Sequence, residues 1–323
     1  MTSTKTATRT DAENSDLRDI QLTQIDRNPE NPRLVFRSSE MEELLESIRR
    51  YGVQVPVSVY KEGSRYVLMD GERRWNCCRK LGKKTIPALV QSKPSPLTNL
   101  LLMFNIHALR EQWDLMTIAL KLPRVISLLE KDLKKRPTER ELSDFTGLSR
   151  AVIRRCRLLI DLPDTYKDEI LDELKKPKSE QKLTEDLFIE MERALTTVQR
   201  ALPEVIGDRN RVRRVLLQKY RSGVIENRVH FRNVAKIARA EWVSADRAQA
   251  VSVLTKLFEP NSYSIDDAYR DSVSEAYSER DIRTVVSGLL DRLGPLTAKD
   301  VDDDLRKSLE KLYKKLRELL REA

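Results

Sequence analysis

Histidine and cysteine are scarce in this 323-residue chain: two histidines, His107 and His230, and three cysteines, Cys77, Cys78 and Cys156. So few ligands of these types exclude a zinc cluster, a disulfide framework and a histidine-based catalytic triad. Cys77 and Cys78 are adjacent and read as small apolar residues on the inner face of a helix. No apolar run approaches the roughly 18 residues needed to cross a bilayer, and the N-terminus has no signal-type apolar stretch. The expectation is a soluble, cytoplasmic protein without a membrane partner.

Charge is plentiful. Lys and Arg number 60 against 51 Asp and Glu, for a net +9 and a pI near 9.3. That balance suits a polyanionic partner, although its placement matters more than its sum. The window 131–157 holds nine basic and four acidic residues, a local +5 that is more than half of the excess.

The densest information lies in residues 66–90. A strand-like run from Tyr66 to Met69 ends at Asp70-Gly71. Glu72-Arg73-Arg74 opens an amphipathic helix that stops near Gly82, and a second strand-like run covers Ile86 to Val90. Two arginines at a strand-to-helix junction sit where unpaired N–H groups and the positive end of the helix dipole favour an anion. Arginine presents a rigid fork of donors matched to phosphate. A phosphate-bearing ligand is indicated, although a surface helix with an internal ion pair would read the same way.

Around this segment, residues 18–96 alternate helix and strand. Ser39 with Glu42 forms a capping box for a helix over 40–51, which buries Leu44, Leu45 and Ile48 and ends at Gly52. Strands at Val55–Tyr60 and Arg65–Met69 flank a turn at Lys61-Glu62-Gly63-Ser64. Lys93-Pro94-Ser95-Pro96 breaks the pattern, and only helices follow: 97–109, 115–135 and a pair within 138–159. In that pair Thr138 and Glu141 form a capping box, Leu142 and Phe145 point inward and Gly147 supplies a turn. Ser149 caps a second helix with Val152, Cys156 and Leu159 at buried spacing. This is a helix-turn-helix pattern. Its second helix carries Arg150, Arg154 and Arg157 at i, i+4 and i+7, with Arg155 alongside, a face able to meet guanine edges or phosphates. A basic solvated face is the plain alternative.

Further along, the helix over 209–221 sets six basic residues around Val212, Val215, Leu216 and Tyr220, which reads as a solvated face in preference to a second DNA surface. Residues 258–267 read as a loop. The last helix repeats Leu305, Leu309, Leu312, Leu316 and Leu319 in heptad fashion. Packing on the chain's own helices would explain this seam; dimerisation is favoured, because a helix-turn-helix reader gains affinity by pairing.

Several ordered boxes give the chain a family likeness. Asn28-Pro29-Glu30-Asn31-Pro32-Arg33, Gly52 to Val57, Gly71-Glu72-Arg73-Arg74 and Asn105-Ile106 resemble the boxes of the ParB family of partition proteins, across about residues 18–175. Residue pattern and resemblance together give an α+β, predominantly helical chain: an arm (1–17), a ParB-like nucleotide-binding domain (18–96) and a helix-turn-helix domain (97–178); beyond the resemblance, pattern alone gives a helical region (179–300) and a C-terminal helix (301–323). The resemblance implies CTP and Mg²⁺ as cofactors, with Arg33, Gly71, Glu72, Arg73, Arg74 and Asn105 at the nucleotide and Asn105 at the metal. Ser149, Arg150, Arg154, Arg155 and Arg157 would meet double-stranded DNA. A homodimer is expected, and the arm would meet a ParA-type ATPase, though a plain flexible tail reads equally well. Two positions depart from the family: Asn76 stands where an arginine is usual, and Phe104 where an acidic metal ligand is usual. Phenylalanine offers a hard cation no oxygen, so at most a weak CTPase is expected. The leading expectation is a CTP-gated partition clamp on DNA; the alternative is a ParB-fold transcriptional regulator without the nucleotide switch, and a small-molecule enzyme is the third choice.

Overall fold

The computed structural model describes residues 16–31, 38–105, 113–297 and 300–320. The expected arm, all but its last two residues, lies outside them. Contacts divide the chain into two compact units, Met1–Glu192 and Arg193–Ala323.

The first unit opens with β1 (Asp16–Gln21) and the two-residue β2 (Ile25–Asp26), followed by α1 (Ser38–Tyr51), β3 (Val57–Glu62), β4 (Arg65–Asp70), α2 (Glu72–Lys80) and β5 (Thr85–Gln91). The five strands form one sheet in the order β1-β5-β3-β4-β2. The β3–β4 hairpin and the β1–β5 pair are antiparallel, whereas β3–β5 and β2–β4 run parallel. Val57, Val59, Leu68, Ile86 and Ala88 alternate onto the inner face, where Met41 and Ile48 of α1 and Trp75, Cys77 and Cys78 of α2 complete the core. Both cysteines are fully buried, and burial pushes their thiols up, so they behave as small apolar residues. Strand β3 begins two residues later than its apolar run suggests. Pro56 has no N–H for a ladder, and the carbonyls of Val55 and Pro56 are taken by Arg74.

Helices follow throughout: α3 (Pro96–Met103), α4 (Leu115–Leu133), α5 (Glu139–Thr146), α6 (Arg150–Ile160), α7 (Asp164–Lys175) and α8 (Glu185–Ala201). The first begins at Pro96 and continues in π-helical form to Asn105, and the rest of the expected 97–109 lies outside the described residues. The capping box of Thr138 and Glu141 is present, and Gly147 ends α5 at φ 73°. Two inward assignments shift. Leu142 and Thr146 take the buried side of α5, leaving Phe145 about a quarter-turn away and 37% exposed. On α6 the buried stripe is Ile153, Cys156 and Leu159, with Val152 only half-buried. The i, i+3 pair Ile153–Cys156 faces α4, where the Cys156 thiol approaches the Leu115 carbonyl.

The second unit continues with α9 (Pro203–Ile206), α10 (Arg209–Arg221), α11 (Phe231–Ile237), α12 (Arg247–Leu257), α13 (Ile265–Arg270), α14 (Ser274–Leu293) and α15 (Asp303–Leu319). Helix α10 is less solvated than expected. Arg213 and Lys219 are buried, and the Lys219 ammonium donates to the carbonyls of Leu257 and Tyr263 and to Asn261. Burial lowers the Lys219 pKa to about 8. The expected loop over 258–267 is shorter too, because a Ser264–Asp267 capping box starts α13 at Ile265. The leucine seam of α15 is exposed: Leu305, Leu312, Leu316 and Leu319 lie between 37% and 57% open, and no residue of α15 is buried.

Glu185 joins two helices of the first unit by accepting the backbone N–H of Met116 at the start of α4. Burial raises its pKa to about 7, with Asp114 and Asp186 adding to the rise and Arg155 and the Met116 bond opposing it. The folded state therefore holds a proton that the unfolded state releases from about pH 4.5 upward, so this group costs stability as pH rises from there to about 7. Glu185→Gln should flatten that slope, by about 1–3 kcal/mol between pH 5 and 7.5 in urea unfolding.

Candidate functional site

The N-terminal half of the first unit is organised around the junction of β4 and α2. Gly71 caps α2 in the left-handed region, at φ 96°. A Cβ built there would lie 2.7 Å from Val57 Cγ1 and 3.1 Å from Arg74 Nη2, so only glycine fits. Val57 and the positive φ set this limit, and Arg74 folds back over the same junction. Its Nη2 pairs with the Asp70 carboxylate at 3.0 Å while Nη1 donates to the carbonyls of Val55 and Pro56. Arg73 points towards α1, where its guanidinium donates to the Glu40 carbonyl at 2.9 Å and lies 3.4 Å from the Glu40 carboxylate. The Arg73 Nε is buried without an acceptor among the described residues. Glu72 is itself buried; it pairs with Arg27 at 2.5 Å and accepts from the side-chain amide of Asn31.

Residues distant in sequence converge here through asparagine side chains. Asn28 is 2% exposed; its Oδ1 accepts the Glu30 N–H at 3.0 Å, and its Nδ2 lies 3.4 Å from Asn99 Oδ1 on α3. The Glu30 carboxylate lies 3.5 Å from Arg124 of α4. The Asn-Pro segment is thus tied to α2, α3 and α4 at once. Arg27, Glu40, Asn99 and Arg124 hold the arrangement together and were not singled out from sequence. Arg27 adjoins the Asn-Pro box, but the other three sit on ordinary helical stretches that advertise nothing.

The remaining candidates are placed differently. Arg33 lies outside the described residues. Asn105 follows α3 and donates to the Leu101 carbonyl at 2.9 Å and to the Phe145 carbonyl of α5 at 3.3 Å. Its amide nitrogen serves the helical layer, and no box residue is its partner among the described residues. Phe104 is fully buried, edge-on to Trp113 at a centroid distance of 5.4 Å, so this position belongs to the core. Among the described residues no three His, Cys, Asp or Glu side chains group as metal ligands. The donor set fits phosphate oxygens through Arg73 and Arg74 and does not fit a hard cation at position 104.

The second group of candidates lies on α6. The Ser149 hydroxyl accepts the Val152 N–H at 3.3 Å and caps the helix. Arg150 is exposed and has no ion pair among the described residues. Arg154 and Arg157, 61% and 46% exposed at the side chain, share one carboxylate, Glu139, at 3.7 and 2.8 Å. Arg155 turns aside to Asp186. The face therefore presents Arg150 openly and holds Arg154 and Arg157 under Glu139.

A small mixed sheet with an arginine-bearing strand-to-helix junction, followed by a capped two-helix element with an arginine face, defines a class of chain that pairs a small α/β module with a helical one. Residues 6–105 match the ParB N-terminal domain family model. A probable chromosome-partitioning protein ParB of Pseudomonas putida is 32% identical over 154 residues, covering 47% of this chain and 50% of that protein. The chain spans about half the length of the curated relatives it matches. Similar solved structures include the C-terminally truncated ParB from Caulobacter crescentus complexed to the centromeric parS site, with a TM-score of 0.41, 21% identity and coverage of 69% of this chain and 98% of that one. The same protein complexed with CTP-gamma-S gives a TM-score of 0.29 at 23% identity, covering 56% of this chain and 99% of that one. The chain thus carries a ParB N-terminal domain and resembles ParB chromosome-partitioning proteins over about half of its length.

Gly71→Ala should cost roughly 1–3 kcal/mol of stability, from strain at positive φ and the clash with Val57, read as a lower urea midpoint. Glu139→Gln frees Arg154 and Arg157 and should raise duplex affinity severalfold at low salt in an anisotropy titration. Unchanged affinity would remove both arginines from the DNA face.

Proposed function

We propose that this chain is a ParB-type, sequence-specific DNA-binding protein that partitions a chromosome or plasmid, with its ParB N-terminal domain gated by CTP. The observation that carries the reading is the exposed arginine face of α6, built on a capped helix-turn-helix in the same compact unit as the Gly-Glu-Arg-Arg junction. Ser149, Arg150, Arg154 and Arg157 would meet the major groove and its flanking phosphates, with Arg155 beside them. The similar Caulobacter ParB was solved with parS and, separately, with CTP-gamma-S.

Arg73 and Arg74 would hold the phosphates, each exchanging a present partner, Glu40 or Asp70, for phosphate oxygen. A bound triphosphate supplies the negative charge that makes this exchange favourable. The unpartnered Arg73 Nε gives the exchange a donor with nothing to lose. Gly71 keeps the backbone close, Arg33 would assist, and Glu72 holds the Asn-Pro segment in place through Asn31. Asn105 retains its side-chain oxygen as an acceptor, but with Phe104 in the core a metal ion has no carboxylate there. Hydrolysis is accordingly slow or absent. Pairing of two chains would use the exposed leucine seam of α15, and a ParA-type ATPase would meet the N-terminal arm.

A transcriptional regulator of the same fold that has lost the switch is favoured by the burial of Phe104 and by Asn76. Calorimetric titration with CTP, ATP and GTP separates the readings. Saturable CTP binding that is lost in Arg73→Ala supports the gated protein, and silence with all three nucleotides supports the regulator. With about six to ten phosphate contacts per dimer, duplex affinity should drop about 10³–10⁵-fold between 50 and 200 mM salt. A flat salt profile would sink the DNA reading. Arg150→Ala should cost about 1–3 kcal/mol at the specific site if its fork meets a base, and less than that, uniformly across sequences, if it meets only phosphate.

A further inference from the structure

A second basic feature lies at the opposite end of α2, about 12 Å along the helix axis from the Gly-Glu-Arg-Arg junction. A cavity of about 400 Å³ opens there between the β1–β2 connection and the C-terminal end of α2. Four cations line it, Arg27, Arg65, Arg79 and Lys83, against one carboxylate, Asp26. Two of the cations are spoken for. Arg65 holds Asp26 through Nε at 2.5 Å and Nη2 at 2.6 Å, and Arg27 is paired with Glu72. Arg79 and Lys83 are exposed and have no carboxylate partner among the described residues. Arg79 lies over the Trp75 indole at 4.7 Å, which fixes its guanidinium at the cavity wall.

Trp75 supplies an independent observation. It lines the same cavity and is 7% exposed, and its indole Nε1 is buried without an acceptor. A buried N–H without a partner costs roughly 1–3 kcal/mol, so it marks a place where an acceptor belongs. Compensation of the helix dipole would account for Arg79 in the last turn of α2. It accounts neither for the concavity nor for the orphaned indole N–H.

We propose that this cavity binds a small phosphate-bearing molecule, whose anionic group is held by Arg79 and Lys83 and accepts the Trp75 N–H. The volume falls within the range of small-molecule pockets, and the apolar part of the wall suits a compact ligand body. A duplex, whose phosphates lie on convex ridges, fits a concave site of this size poorly.

The test is calorimetric titration of the full chain with inorganic pyrophosphate, alongside Arg79→Gln/Lys83→Gln, Trp75→Phe and Arg73→Ala/Arg74→Ala variants whose folding is checked by circular dichroism. Saturable binding is expected in the parent chain and in the Arg73/Arg74 variant. A loss of at least about tenfold is expected in Arg79→Gln/Lys83→Gln, the size of one charge-assisted hydrogen bond. Trp75→Phe keeps the ring and removes the N–H, and should weaken binding severalfold. Lys83→Gln alone, at an exposed position beyond α2, serves if that double variant does not fold, and Arg73→Ala alone serves as the junction control if removal of Arg74 unfolds the sheet. No saturable binding overturns the proposal. So does loss confined to the Arg73/Arg74 variant, which assigns the anion to the junction. Duplex affinity that falls in Arg79→Gln/Lys83→Gln without any pyrophosphate binding also overturns it, and makes the surface a DNA contact. CTP binding at the junction is read separately, so failure here leaves that proposal standing.

Discussion

The span of Arg74 across the end of β4 is the interaction on which the first unit depends. One guanidinium closes over Asp70 and takes the carbonyls of Val55 and Pro56, which the β3 ladder leaves unpaired. That single side chain takes the two carbonyls just ahead of β3 and lies over Gly71, where Val57 and the positive φ already leave no room for a side chain. Without it, two carbonyls at the sheet margin would have to find water, and the positive-φ turn would have no lid. The adjacent Glu72 works in the opposite direction. Its carboxylate is buried, and Arg27 and Asn31 draw the Asn-Pro segment onto the same helix. A short stretch of four residues thus binds three separate parts of the chain.

This economy has a cost for function. Arginines that build the junction are already committed, and a ligand must outcompete carboxylates for them. The same tension recurs on α6, where Glu139 is shared between two of the arginines that face outward. At the junction each arginine has its own carboxylate, whereas on α6 one carboxylate serves two arginines and Arg150 stays open, so the excess positive charge remains on that face. Under the proposed function, a polyanion would meet prearranged guanidinium groups and would have to displace only partly exposed carboxylates.

Much of this was legible before any coordinates, for identifiable reasons. The alternation of Val57, Val59, Leu68 and Ile86 marks strands by period alone, and Gly71 followed by Glu72-Arg73-Arg74 marks a strand-to-helix turn. The capping box at Thr138 and the N-cap at Ser149 marked the starts of α5 and α6 because their signal is local. Phe145 and Val152 were misplaced because a helix of eight or eleven residues tolerates a one-residue rotation of its buried stripe without any change in composition. Lys219 and Arg213 could not be seen as buried at all. The carbonyl acceptors of Lys219 lie about 40 residues downstream, and a charged residue at helical spacing looks solvated until its partners are folded beneath it. The carboxylates that occupy Arg73 and Arg157 were invisible for the same reason: Glu40 and Glu139 lie on different helices from their partners.

Asn105 carries a consequence of its own. Its amide nitrogen has two protons, and both are directed at main-chain oxygens, one on its own helix and one at the end of α5. Only an amide can satisfy that geometry while leaving an oxygen outward. A carboxylate of the same shape, having no N–H to give, would lose both bonds and turn to solvent. Asparagine at this position therefore serves the helical layer behind it, a role separate from any nucleotide chemistry.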